Sequence, residues 1–110
     1  TKPQYDVFDV SGRQLVTKVK LPCRLNPTTS LTIKNTGDIL LDFKVQSNSG
    51  QNAIPWICST PTISVNSGTE KVLQFSTDES SLKQDSSSLI VLQCEQHDNF
   101  EVYFEIKQCK

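Results

Sequence analysis

Cys94-Glu95-Gln96-His97 sets a thiol and an imidazole three residues apart, the spacing of one arm of a zinc site. A structural zinc needs a second pair of ligands, and the sequence holds no other histidine and no Cys-x-x-Cys. The plainer reading is a core cysteine at a strand end followed by a histidine in a hairpin loop. His97 is also the sole base of its kind for nucleophilic catalysis, and no Gly-x-Ser-x-Gly elbow accompanies it. The paired carboxylates, Asp78-Glu79 and Glu95 with Asp98, fall in turn-forming stretches, where they serve solubility better than acid–base chemistry. The four glycines are dispersed in turns and make no phosphate-cradling loop. These residues lead to the expectation of a domain that is not an enzyme, with no cofactor, no metal and no small-molecule substrate.

Composition narrows the class further. The 110 residues suit one domain with a core of its own, and this reading takes 1–110 as a single domain cut from a larger protein, since the sequence has no methionine. Hydrophobic residues make up 35% and charged residues 21%, which fits a globular chain. A formal net charge of −1 gives no field to recruit nucleic acid or an anionic membrane, so neither is expected as a partner. No apolar run approaches the roughly 20 residues that span a bilayer. Cysteines stand at 23, 58, 94 and 109, an even count that permits disulfides in three pairings. No Asn-x-Ser/Thr sequon is present, since Asn26 precedes proline. That absence leans toward a reducing compartment, where buried cysteine acts as a small apolar residue.

The elements that carry these residues read as strands throughout. Tyr5 to Val10 is a strand ended by Ser11-Gly12. Leu15 to Leu21 alternates, and Pro22 is expected to stop it, with Cys23 to Thr28 as a loop. Ser30 to Asn35 puts Leu31 and Ile33 on one side, and Leu41, Phe43 and Val45 share a face of the next strand. Short strands are expected at Ile54 to Ile57 and Thr62 to Val65, then Lys71 to Phe75. Thr77 to Ser88 is rich in Ser and Asp and reads as the longest irregular stretch. Leu89 to Cys94 pairs with Phe100 to Ile106, whose alternation is the cleanest in the chain: Phe100, Val102, Phe104 and Ile106 inward, Glu101, Tyr103, Glu105 and Lys107 outward. About seven to eight short strands with a turn every ten residues or so predict an all-β, immunoglobulin-like antiparallel β-sandwich. An antibody-type Cys23–Cys94 pin is not expected, because Trp56 lies too far along and Leu92 stands where a tyrosine corner needs Tyr.

Leu31-Thr32-Ile33-Lys34-Asn35-Thr36-Gly37-Asp38, followed by Leu41-Asp42-Phe43-Lys44-Val45, resembles the core motif of ASH domains, the immunoglobulin-like modules of ASPM and Hydin proteins and of centrosomal scaffolds. These are related to major sperm protein (MSP) and PapD-type domains. Pro61, Ile63, Ser67-Gly68 and Val72 to Phe75 resemble the family's second motif. Asn35 and Gly37 suit a tight turn, since both tolerate positive φ. The resemblance implies a PapD/MSP-like sandwich and a non-catalytic protein-interaction role in a centrosomal, ciliary or cytoskeletal scaffold in the cytoplasm. It also sets a limit. MSP-type receptors of acidic FFAT peptides follow this Phe-Lys-Val with Lys-Thr-Thr, and here Gln46-Ser47-Asn48 stand instead. The alternative is an extracellular immunoglobulin- or fibronectin-type adhesion or receptor domain with disulfides.

The partner-binding candidates are Lys18, Lys20, Lys34, Lys44 and Tyr103. If the first strands pair with the Leu31 strand, Lys18, Lys20 and Lys34 form one basic patch suited to an acidic or phosphorylated protein segment. Lysines also guard strand edges against aggregation. Lys44 projects from the outward side of the Leu41 strand, and Tyr103 stands between Glu101 and Glu105 as an aromatic anchor.

Overall fold

The computed structural model describes residues 3–18, 20–23, 26–47, 53–82 and 86–106; at 20–23 and 104–106 the description covers the backbone alone. The described strands are β1 (Tyr5–Phe8), β2 (Lys20–Cys23), β3 (Thr28–Asn35), β4 (Leu41–Ser47), β5 (Ile57–Cys58), β6 (Thr62–Val65), β7 (Glu70–Ser76), β8 (Ser87–Cys94) and β9 (Phe100–Ile106). They form two sheets, one ordered β1-β3-β7-β5 and the other β2-β9-β8-β4-β6. Pairing is antiparallel except at β2, which runs parallel to β9.

Alternating apolar side chains build the core. Leu31 and Ile33 of β3 and Leu73 and Phe75 of β7 face Leu41, Phe43 and Val45 of β4 and Ile90 and Leu92 of β8, all buried. Val7, Leu15, Ile54, Trp56, Val65 and Val102 complete the cluster. A fully buried aliphatic or aromatic side chain contributes roughly 1.5–3 kcal/mol, so this layer between the sheets dominates stability. Trp56 needs a partner for its one polar atom when buried. Its Nε1–H donates to the Ser88 hydroxyl at 2.6 Å, and Ser88 is itself buried.

The fold corrects several details of the sequence reading. Leu15 to Leu21 is not a continuous strand. Gln14 bridges back to Phe8 and the Leu15 N–H donates to the Val7 carbonyl, so this segment forms a hairpin with β1. Thr17 and Lys18 then turn, with Lys18 at φ 66°. That left-handed conformation costs an L-residue about 1–2 kcal/mol and breaks the strand despite its two-residue alternation. Pro22 and Cys23 lie within β2 and do not end it, since an edge strand tolerates proline where its missing N–H would face outward. Ile54 and Trp56 are buried as expected, but the regular strand there is β5, one residue pair further on. The expected inward placement of Phe104 and Ile106, and the state of Cys23 and Cys109, lie outside the described residues.

Asn35 departs from expectation in an informative way. Neither Asn35 nor Gly37 has a positive φ. Asn35 is instead fully buried, and its side chain organises the turn. Its Nδ2 donates to the carbonyls of Ile39 at 2.7 Å and Val65 at 2.9 Å, while its Oδ1 accepts the Gly37 N–H at 3.0 Å. Its backbone N–H donates to the Thr69 carbonyl, and its carbonyl accepts from the Gly68 N–H. One amide thus ties the β3–β4 turn to the β6–β7 turn across the two sheets. Gly68, at φ 75°, supplies the left-handed residue that the second turn requires.

Candidate interaction surface

The five-stranded sheet carries most of the candidate residues. β2 and β9 run side by side with Lys20 in register with Tyr103. The turn before β2 docks on β9 at one residue: the Lys18 N–H donates to the Glu101 carbonyl, and the Glu101 N–H donates to Thr17 Oγ1. The side chain of Glu101 then lies 3.9 Å from the Lys18 ammonium and accepts from the Tyr103 hydroxyl at 3.2 Å. Desolvation, and then the Glu101 carboxylate, raise the Tyr103 phenol above its usual range. Leu89 and Val91 of β8 stand opposite Tyr103 and Glu101, so the outward side of β8 and β9 offers half-buried apolar surface beside this charged group.

Further across the same sheet, Lys44 projects from β4 between Thr62 of β6 and Gln93 of β8. A shallow groove of about 450 Å³ runs here, lined by Asp42, Phe43, Lys44, Thr62, Gln93, Cys94 and Glu95. Lys44 is exposed, and among the described residues no carboxylate lies within ion-pair distance of it. One of the groove's two carboxylates is already engaged. Asp42 accepts hydrogen bonds from the Ser64 hydroxyl and from Gln96 Nε2 at 3.0 Å, and these donors hold its carboxyl below the ordinary range. Gln96 returns the contact, its Oε1 accepting the Asp42 N–H at 2.9 Å. Asp42 is therefore a brace between β4, β6 and the turn after β8, which leaves Lys44 and the exposed Glu95 as the groove's available charges.

Lys34 does not join the others. The basic patch expected of Lys18, Lys20 and Lys34 assumed that their strands pair. In the fold, β3 belongs to the four-stranded sheet and β2 to the five-stranded one. Lys34 instead stands in register with Asp6 of β1 and Glu70 of β7, flanked by opposite charge. For Lys20 the position in β2 is described and the side chain is not.

Cys94 and His97 each have contacts of their own in the fold. Cys94 is buried, and that burial pushes its thiol up. Nδ1 of His97 accepts the Asp98 N–H at 2.7 Å, and its ring meets Tyr5 edge-on at 5.8 Å. Tyr5 also packs edge-on against Phe43 at 4.9 Å and donates its hydroxyl to the Asp98 carbonyl at 2.8 Å, so it latches β1 to the β8–β9 hairpin. Burial first, then the nearby Cys94 and Asp98, raise its phenol well above the usual range. Among the described residues no group of three or more His, Cys, Asp or Glu side chains is placed to hold a metal ion, and no helix is long and apolar enough to cross a membrane.

No family model matches the chain, and no curated protein matches it in sequence. Solved structures match its fold. The CupB2 chaperone of Pseudomonas aeruginosa aligns over 86% of this chain and 55% of its own, with a TM-score of 0.60 and 16% identity. The present chain thus spans about half the length of that chaperone. WR4, a C. elegans MSP family member, aligns over 79% of this chain and 89% of its own, with a TM-score of 0.57 and 13% identity. The ASH/PapD-like domain 7 of human CEP192 aligns over 100% of this chain and 92% of its own, with a TM-score of 0.57 and 11% identity. The chain accordingly has an MSP/PapD-like immunoglobulin fold of the ASH type.

Proposed function

We propose that this domain is a non-catalytic protein-interaction module of a larger centrosomal, ciliary or cytoskeletal scaffold in the cytoplasm. Its outer five-stranded face takes an acidic or phosphorylated segment of a partner protein. The observation that carries this reading is Lys44, exposed over a groove in which the nearer carboxylate along its own strand, Asp42, is held by Ser64 and Gln96, with Glu95 just past the end of β8 as the groove's other carboxylate. An ammonium with no ion-pair partner among the described residues is a point of attachment for an anionic one. Lys18, Lys20 and Tyr103 extend the same sheet toward its β2 edge, where main-chain groups of an added strand have room to pair. Among the described residues Cys58 and Cys94 are free thiols, in line with a reducing compartment.

Fluorescence anisotropy tests the face with a labelled phosphoserine-rich acidic peptide and a neutral Ser/Gln peptide of equal length. The acidic peptide is expected to bind and the neutral one not. Lys44→Glu and Lys18→Glu are each expected to weaken binding about fivefold or more, the scale of one exposed charge contact. Lys34→Glu, on the opposite sheet, should leave it unchanged. Equal binding of both peptides, or equal loss with Lys34→Glu, overturns the assignment.

A further inference from the structure

The outer face of the four-stranded sheet carries a pattern that the reading above leaves unused. Three cross-strand rows lie side by side on it. Asp6, Lys34 and Glu70 form a charged row across β1, β3 and β7. Phe8, Thr32 and Val72 form the next row, two residues along each strand. Ser30 and Gln74 form the third, which is polar and uncharged. Val72 is 52% exposed, an unusual state for a β-branched residue in a central strand, and Phe8 is half-buried. The hairpin that extends this sheet beyond β1 exposes Val10 at 72% and Val16 at 65%. With Ile57 of β5, four of the five exposed large apolar side chains among the described residues therefore belong to this sheet and its edge.

The order of the rows decides what fits on them. Consider a second copy of the chain, related by a two-fold axis lying along the Phe8–Thr32–Val72 row. The rotation lays that row on itself, Phe8 over Phe8 and Val72 over Val72. It exchanges the rows on either side, so Glu70 faces Gln74 of the second copy and Lys34 faces its Ser30. No charged group meets its like, and Glu70 and Lys34 each meet a side chain able to hydrogen-bond it. An axis along the strands would instead bring Asp6 over Glu70, two carboxylates. We infer that the four-stranded sheet's outer face is a homodimer surface, packed sheet on sheet with the Phe8–Thr32–Val72 row on the two-fold axis. Three main strands about 4.8 Å apart and four to eight residues long offer roughly 300 Å² of footprint. That is small beside the roughly 800 Å² of accessible area per partner in standard complexes, so the dimer is weak, with Kd on the order of 100 µM.

Sedimentation equilibrium from 10 µM to 1 mM tests the inference. The chain is expected to shift from monomer toward dimer across that range. Val72→Arg places two guanidiniums against each other on the axis, and a monomer at every concentration is expected. Because Val72 is exposed, the variant keeps its fold, which circular dichroism checks. Gln74 supplies a signed control. Gln74→Lys pairs with Glu70 of the second copy twice per dimer and is expected to tighten association severalfold. Gln74→Glu sets carboxylate against carboxylate and is expected to weaken it. A wild-type chain that stays monomeric at 1 mM overturns the inference. So does dimerisation unaffected by Val72→Arg, or equal behaviour of the two Gln74 variants.

Discussion

At the scale of single residues, Asn35 does more for this fold than its place in a turn motif suggests. A buried amide with three side-chain hydrogen bonds to backbone is costly to remove, because its partners stay behind without solvent. Asn35→Ala leaves two carbonyls and one N–H unpaired and is expected to destabilise the domain by about 3 kcal/mol, read from the urea midpoint at constant m-value. Asn35→Asp should cost more, since it turns a carboxylate oxygen toward the carbonyls of Ile39 and Val65. Equal stability of wild type and Asn35→Ala would show that the turn holds without the amide. The sequence revealed that Asn35 mattered but gave the wrong reason. Positive φ is a local property of Asn and Gly that sequence can suggest. The partners of the amide lie 4 and 30 residues away, and only the pairing of the sheets brings them in.

At the scale of elements, strands whose alternation runs uninterrupted were readable from sequence, and strands that depend on a distant neighbour were not. Thr62 to Val65 and Phe100 to Ile106 match β6 and β9 residue for residue. Leu31, Ile33, Phe43, Val45, Leu73 and Phe75 all take their expected core places. The Leu15 to Leu21 stretch alternates equally well, yet its course is set by docking on Glu101, some 84 residues away. The same blindness split the lysine patch: Lys34 and Lys20 read alike in sequence and separate only when β3 and β2 join different sheets. Asp42 shows how elements are tied beyond the ladder, bracing β4 to β6 through Ser64 and to the β8–β9 turn through Gln96. Its carboxyl is lowered in the fold, so the brace adds stability above the ordinary carboxylate value of 3.8 and loses it as pH falls through the lower folded value. The urea midpoint is expected to drop between pH 4 and pH 2, and Asp42→Asn should flatten that slope. A variant with the wild-type slope would assign the acid sensitivity to other carboxylates, Asp9 among them. Burial opposes the charge of Asp9, but donors from Ser11 and Arg13 outweigh it and lower its carboxyl too.

At the scale of the whole molecule, the two sheets present different outer faces. The five-stranded face carries Lys44 and Tyr103, and the four-stranded face carries the Phe8–Thr32–Val72 row. Cys94 is buried at the end of β8, and that burial pushes its thiol up. Cys58, on a two-residue strand of the other sheet, is half-exposed. Alkylation by iodoacetamide is therefore expected to label Cys58 at a rate indifferent to stability. Cys94 should label only as the domain opens, its rate rising in step with destabilisation by Asn35→Ala. Mass spectrometry of peptides around each cysteine separates the two rates. Equal labelling of both in the folded chain would mean that the core admits reagent without opening.

The parallel pairing of β2 with β9 bears on how the domain answers to force. In that ladder Lys20 lies beside Tyr103 and Cys23 beside Ile106, so both strands run the same way. Tension that draws β2 back toward the start of the chain and β9 onward toward its end slides the two strands along one another. The hydrogen bonds between them are then loaded together, in shear, and do not open one after another like a zip. Such a pair holds until its hydrogen bonds break together, so the β2–β9 ladder resists stretching more than an antiparallel hairpin opened from one end.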